Sequence, residues 1–451
     1  MDVIEFIHDV KWRNFPESVR RQARRCLLDT LGAAIGGSRT KLSRIIRDFA
    51  ASAFGGHDAY LWFDGREVSP PGAALANGMA IDSLDIHDGH PLAKGHAGAA
   101  IVPATLATIP LNNTVQITGA ELLTTMVVGY EVALRAAIAL HATACDYHTS
   151  GAWNALGCAA VAARRLGLTS QKTRHALGTA EYHGPRSQMM RCIDHPTMVK
   201  DGSGWGAMAG VSAAYLARDD FTGAPALTIE DEQAKPYWDG LGQDWLISGQ
   251  YFKPHAVCRW AQPAIEAALT LKQTHRLSPD EINRIEIHTF HEAVRLTVRH
   301  PQSTEEAQYS LPFPLAAALV HGRLGAAELD ETALADETIL QLSDRIELIE
   351  DDQFSSRFPA RRFARVIVET TTGERYDSGE VEARWDPGTP PSDQALSDKF
   401  RWLAKDVMPG DRACELENLL WQCSELSNVS SLLNAIFKND CNARHLPAAT
   451  P

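Results

Sequence analysis

The chain has 451 residues, 45% of them apolar and 22% charged, with a formal net charge of −13. That length is ample for a large buried core and fits two domains. The acidic balance excludes a nucleic-acid partner, which demands a basic surface, but not an anionic ligand held by a local field.

The N-terminal Met-Asp-Val-Ile-Glu-Phe-Ile-His lacks the basic and apolar regions of a secretory signal. Pro16 to Leu31 opens with a proline and carries apolar positions at helical spacing, which predicts a helix. Glu121–Leu140, Ala152–Leu166 and Gly206–Ala217 read as buried helices rich in Ala and Gly. Their small side chains permit close packing in a bundle. The apolar stretch Val127–Leu140 contains Glu131 and Arg135 and is too short to span a membrane.

After about residue 275 the pattern changes. Ile282–Phe290 and Arg345–Glu350 alternate apolar and polar residues, as half-buried strands do. Arg365–Tyr376 reads as two strands joined by a turn at Thr372-Gly373, with helices at Pro314–His321 and Glu331–Leu342 between the strands. Asp386–Ser392 is a turn-rich linker, helical periodicity returns over Gln394–Phe437, and Arg444–Pro451 is a loose tail. The expected fold is therefore mainly α with a smaller α+β part. A helical-bundle domain is expected from residues 1–270 and 394–451, with an α+β lid domain, 271–393, inserted. The eight cysteines (26, 145, 158, 192, 258, 414, 423 and 441) include no CxxC pair, which favours reduced thiols and a cytoplasmic, reducing location.

The chemistry concentrates in Asp82–His96, which holds Asp82, Asp85 and Asp88 with His87, His90 and His96. Such groups support acid–base work, because an imidazole titrates near neutrality and a paired carboxylate fixes its tautomer. Asp85, His87, Asp88 and His90 also offer metal donors, and a solvated loop whose aspartates cap helices is the bland alternative. No distant Cys/His pair at ligand spacing supports a metal, so acid–base chemistry leads. Met198–Gly210 reads as a Gly-rich turn opening a helix, with N–H groups free for a carboxylate and Lys200 beside them, or as a turn that merely allows close packing. Tyr147 and His148 precede a small-residue helix and are competent proton carriers, the plainer reading being that Tyr147 and Thr149 only cap that helix. Lys253 and Arg259 are candidate carboxylate binders, and Arg186 and Arg191 are anion anchors or salt-bridge partners. Converging polar loops at helix starts would suit a di- or tricarboxylate.

These segments, in this order, resemble the MmgE/PrpD family. The likeness rests on Leu84-Asp-Ile-His-Asp-Gly-His90, His96-Ala-Gly-Ala-Ala-Ile-Val-Pro103, the His148 segment, Met198-Val-Lys-Asp-Gly202, Phe252-Lys-Pro-His-Ala-Val-Cys-Arg-Trp260 and Leu28-Asp-Thr-Leu-Gly-Ala-Ala-Ile-Gly-Gly37. The resemblance implies a helical domain with an α+β lid, a homodimer, and neither metal nor organic cofactor. It also implies that Asp85, His96, His148, Lys200 and Lys253 line a site between the domains. The expected catalytic set is His96, Lys200, His148, Tyr147 and Asp85, with Lys253, Arg259, His90, Asp88 and Arg186 binding substrate. Two positions depart from the family pattern: Gly89, where decarboxylase-like members usually carry threonine, and Gln262, where many carry histidine. Gly89 is read as opening space for a larger substituent.

The shared chemistry is removal of a proton next to a carboxylate. Dehydration of a 2-methylcitrate- or alkylcitrate-like acid is the first expectation, with His96 or His148 as acid and Lys200 or Tyr147 as base. The alternatives are epimerisation of an iminodisuccinate-like acid, decarboxylation of the cis-aconitate type, and a non-catalytic carboxylate-binding protein. The last is disfavoured because binding alone selects arginines over titratable groups.

Overall fold

The protein was analysed as a computed structural model that describes residues 1–111 and 116–437; the expected tail, Arg444–Pro451, lies outside the described residues. The chain is mainly helical with a small mixed sheet toward the C-terminus. Pro16 caps a long helix, Glu17–Gly37, whose apolar face is buried. The three Ala/Gly-rich segments form helices Gly119–Thr143, Ser150–Leu166 and Ser203–Arg218, and the Ser150 helix packs against the other two.

Helix Gly119–Thr143 corrects the sequence reading of its length. At 25 residues it is long and apolar enough to cross a membrane by length and composition, but 94% of its most apolar window is buried inside the protein. Its charged pair, Arg135 and Glu131, closes at 2.9 Å within the core. Glu131 also accepts the backbone N–H groups of Leu246 and Ile247. The helix is a core element of this fold, and its buried Glu131 and Arg135 charges are paired with each other.

The small residues set the interhelix distance. A Cβ at Gly206 would lie 2.4 Å from the carbonyl oxygen of Gly151, and one at Gly210 would lie 2.3 Å from that of Ala155. The Gly-rich segment therefore serves close packing, the plainer of its two sequence readings.

In the α+β part, Ile282–Thr289 pairs parallel with Ile346–Glu350 and antiparallel with Phe363–Thr370. Phe363–Thr370 turns through Gly373 into Arg375–Asp377 and also pairs with Val381–Glu382. The parallel pair requires a long crossover, supplied by helices that include Pro312–His321. The expected helix Glu331–Leu342 is two helices, Glu331–Leu334 and Glu337–Asp344, because Asp336 caps the second through the N–H groups of Thr338 and Ile339. After the linker, helix Asp393–Ala404 returns to pack on Glu17–Gly37.

Replacing Gly206 by Ala raises helix propensity yet drives a methyl into rigid backbone. The substitution is expected to destabilise the protein by about 1–3 kcal/mol, read as a lower Tm in a thermal melt. An unchanged or raised Tm would show that the contact is not tight.

Candidate active site

The helix Pro70–Asp82 ends where the His/Asp-rich segment begins, and the chain then forms a buried loop leading to helix Gly98–Ala107. The loop is held on three sides. Gly89 and Tyr251 exchange backbone hydrogen bonds at 3.1 and 2.8 Å. Lys399, paired with Asp29, donates to the Ile86 carbonyl at 2.6 Å. Lys253 donates to the Asp85 carbonyl at 2.8 Å and to the Asp85 carboxylate at 2.5 Å. Asp85, Lys94 and Lys200 all adopt left-handed backbone conformations, with φ of 48°, 54° and 50°. Non-glycine residues at such angles cost about 1–3 kcal/mol each, and they persist where surrounding contacts over-determine them.

Lys253 is fully buried and Asp85 nearly so. Burial pushes the Asp85 carboxyl up, but Lys253 and then Lys200 overcome it and hold the group at about 2. His96 sits beside this pair, with Nε2 3.9 Å from Asp85 Oδ1. Its Nδ1 lies 2.6 Å from the Asp88 carbonyl oxygen. A carbonyl only accepts, so Nδ1 carries the hydrogen and Nε2 the lone pair. Burial, then the positive charge of Lys253, lowers the pKa of His96, so the imidazole is neutral near pH 7.

A pocket opens at this point, with roughly 390 Å³ of non-atom space, its solvent mouth included. Asp85, His96, Tyr147 and Arg259 from the sequence-predicted set line it. Tyr147 donates its hydroxyl to the Lys94 carbonyl at 2.7 Å, and burial raises its pKa, so its proton is already engaged. Arg259 lies over the Tyr251 ring and pairs with Asp386. Lys200 stands one layer behind, donating to Gln308 Oε1 at 2.5 Å with its ammonium 4.7 Å from the centre of the Tyr309 ring. Lys253 likewise reaches the pocket through Asp85.

Three expected substrate binders are placed elsewhere. Asp88 turns its carboxylate into the core, where Tyr130 donates to it at 2.9 Å and burial, then Asp29, raises its pKa to about 6. It serves the site through its carbonyl on His96. His90 packs on Gly249, accepts from the Ala93 N–H, and is held at about 4 by burial and the charge of Arg362. Arg186 lines a different depression with Trp153 and Glu181. His148 stacks on His141 and feels Arg186, so it does not share the pocket with His96 in this structure. The small-residue helix starting at Ser150 presents no free anion cradle either. Asp201 accepts the Ser150 N–H at 2.9 Å and the Ser150 hydroxyl. Ser150 in turn accepts the His96 N–H at 2.9 Å.

The sequence reading missed Lys94, Asp201, Tyr251, Tyr309 and Arg362 as lining residues. Lys94 and Asp201 lie inside segments already singled out, and Tyr251 immediately precedes one. Tyr309 and Arg362 come from the α+β part, where no motif marks them. The carboxylates of Asp82 and Asp85 and a nitrogen of His87 lie within 4.8 Å of one another, close enough to share a cation. The Lys253 ammonium already occupies one face of Asp85, and a metal ion would have to be accommodated beside that charge.

The N-terminal domain of one family matches residues 2–238 and its C-terminal domain matches residues 255–423. The chain belongs to the MmgE/PrpD family. It is 24% identical over 490 residues to cis-aconitate decarboxylase-like protein oryM of Aspergillus oryzae, with 96% of each chain covered. It is 25% identical to the cis-aconitate decarboxylase of Homo sapiens, covering 94% of this chain and 92% of the human one. It is 23% identical to the mitochondrial 2-methylcitrate dehydratase of Yarrowia lipolytica, covering 86% and 79%.

In this MmgE/PrpD chain the two departures have physical explanations. A Cβ at Gly89 would lie 2.5 Å from the Tyr251 hydroxyl and 2.8 Å from His96 Nδ1. The space beside Gly89 is thus filled by Tyr251, which corrects the expectation that it admits a substrate group. Gln262 is fully buried and donates to the carbonyls of His255 and Val257, tying the loop that carries Lys253 and Arg259.

Removing one partner of the buried Asp85–Lys253 pair leaves an uncompensated charge. Lys253→Met is expected to cost about 3–5 kcal/mol in urea unfolding, and the double variant Asp85→Asn/Lys253→Met less than the two singles summed. Because the Asp85 pKa is depressed, the pair's contribution is present above the ordinary carboxylate range and is lost as pH falls toward 2. Additive losses would remove the coupling.

Proposed function

We propose that this protein is a lyase that removes a proton next to a carboxylate of a small di- or tricarboxylic acid. Dehydration of a 2-methylcitrate- or alkylcitrate-like substrate is the leading reaction. The observation that carries the reading is the neutral His96, with its Nε2 lone pair beside Asp85 at the pocket wall. A site whose histidine starts unprotonated suits a reaction that begins by taking a proton.

In this mechanism His96 Nε2 takes the proton from carbon. The C–H electrons form the new double bond as the C–O bond breaks. The leaving oxygen takes a proton from Tyr309 or Tyr251, both kept protonated by burial, and departs as water. The imidazolium then returns its proton to the tyrosinate. Negative charge developing on the substrate carboxylate is met by Lys94 and Arg259 at the pocket wall. These roles exchange the sequence-based ones, in which His96 or His148 was the acid and Lys200 or Tyr147 the base. Decarboxylation is the second reading, favoured by the printed names of the oryM and human relatives. It would use the tyrosines to protonate carbon as carbon dioxide leaves.

The test is NMR of the protein in deuterated water with 2-methylcitrate, cis-aconitate and iminodisuccinate. Loss of water from the citrate-like acid is expected, unaffected by prior dialysis against a strong chelator, and His96→Gln should lower turnover by about 10²-fold or more. Loss of carbon dioxide points to the decarboxylase, and deuterium uptake without net change to the epimerase. No reaction with any of the three acids leaves the binding protein. The kcat/KM plateau should extend below the ordinary histidine value of 6.5 and fall only at lower pH, because a lowered pKa keeps the base unprotonated there. A limb centred at or above 6.5 would remove His96 as the resting base.

We also propose a homodimer in a reducing, cytoplasmic setting. Val199, Trp205 and Leu216 are large apolar side chains left exposed on or just before the helix Ser203–Arg218, and exposed apolar clusters mark interfaces. The cysteines of the described residues are free thiols. Light scattering should give twice the chain mass, and the monomer mass would reject the dimer.

A further inference from the structure

Arg362 stands just before the strand Phe363–Thr370 and lines the pocket from the α+β part of the chain. Only 5% of it is exposed. Its Nη1 donates to the Pro359 carbonyl at 2.9 Å, and its guanidinium stacks on Phe358 at 5.4 Å. Its Nε has no hydrogen-bond partner. Among the described residues, no carboxylate lies within ion-pair distance of it. Asp386, which would otherwise balance it, is paired with Arg259. The charge of Arg362 is felt across the site, since it lowers the pKa values of both His90 and Lys94.

A buried guanidinium with one backbone acceptor and no counter-ion is expensive unless something else completes it. Lys94 at the pocket wall is only half-buried and lies over the Tyr147 ring, and the other buried cations nearby have fixed partners. Lys253 is satisfied by Asp85, Lys200 by Gln308, and Arg259 by Asp386. Arg259 also keeps a free Nε but has the Asp386 carboxylate, whereas Arg362 has unused donors and no counter-ion where a ligand would sit. A guanidinium edge matches a carboxylate in two parallel hydrogen bonds.

We propose that Arg362 binds the carboxylate of the substrate that is not attached to the carbon losing its proton. It thereby restricts the site to acids with at least two carboxylates. The inference rests on the reading of the pocket as a polycarboxylate site. It also assigns the α+β part a direct role in specificity, because His96 and Asp85 belong to the helical part. The substrate would join the two by its opposite ends. Tyr251, whose hydroxyl feels Arg259 and Arg362 as well as Asp85, stands between those ends.

The experiment titrates wild type, Arg362→Gln and Arg362→Lys with propane-1,2,3-tricarboxylate and with butyrate, following the ligands by NMR, and records Tm without ligand. Arg362→Gln should weaken tricarboxylate binding by about 30-fold or more while leaving weak butyrate binding unchanged. Arg362→Lys, which keeps charge without the fork, should fall between. The Tm of Arg362→Gln should hold or rise, because a buried cation with no internal counter-ion has been removed. If Arg362→Gln fails to fold, the Arg362→Lys titration decides alone. Equal tricarboxylate affinity in wild type and a folded variant, or parallel loss for butyrate, overturns the role of Arg362. If wild type still turns over a polycarboxylate in that case, the functional reading stands without this inference. If wild type neither binds the tricarboxylate nor turns over any acid of the panel, both fail.

Discussion

The ion pair between Asp85 and Lys253 is the contact on which the rest of the site depends. Two opposite charges at 2.5 Å in the core hold each other there, and neither is tolerable alone. Lys253 also grips the Asp85 carbonyl, so the pair holds a left-handed residue in place. Burial lowers the His96 pKa, and the Lys253 ammonium lowers it further. The pair thus positions the loop and contributes, after burial, to the low proton affinity of the base.

Around that pair, support comes from distant parts of the chain. Lys399, from the helix after the linker, holds Ile86, and Gln308 joins Lys200 to the Ser83 carbonyl. Asp201 closes a path through Ser150 to the His96 backbone. Burial, then Asp82, raises the Asp201 pKa to about 7, and the Ser150 hydrogen bonds oppose that rise. The left-handed angles at Asp85, Lys94 and Lys200 are held by this surrounding network.

The helical part was legible in the sequence because its signals are local. Periodicity and small residues marked Gly119–Thr143, Ser150–Leu166 and Ser203–Arg218, and alternation marked the strands Ile282–Thr289 and Ile346–Glu350. The split at Asp336 was not legible, because a single capping side chain decides it within one apolar pattern. In the site, Asp85, His96, Tyr147 and Arg259 were named from residue type and surroundings, and they do line one pocket. Asp88, His90 and Arg186 have the same chemistry and similar positions in the sequence, yet they point elsewhere.

The sequence by itself determined the mainly α architecture, the family and the segment in which acid–base groups concentrate. These depend on residue order and short-range pattern, which a single chain displays directly. Only the tertiary structure decided which way each side chain faces, which charges neutralise each other, and which buried guanidinium is left without a counter-ion. Lys253 meets Asp85 across 168 residues, Gln308 meets Lys200 across 108, and Arg362 reaches the pocket from just before an inner strand of the sheet. Such pairings arise from the packing of helices and sheet, and pKa values and binding follow from those distances rather than from residue type.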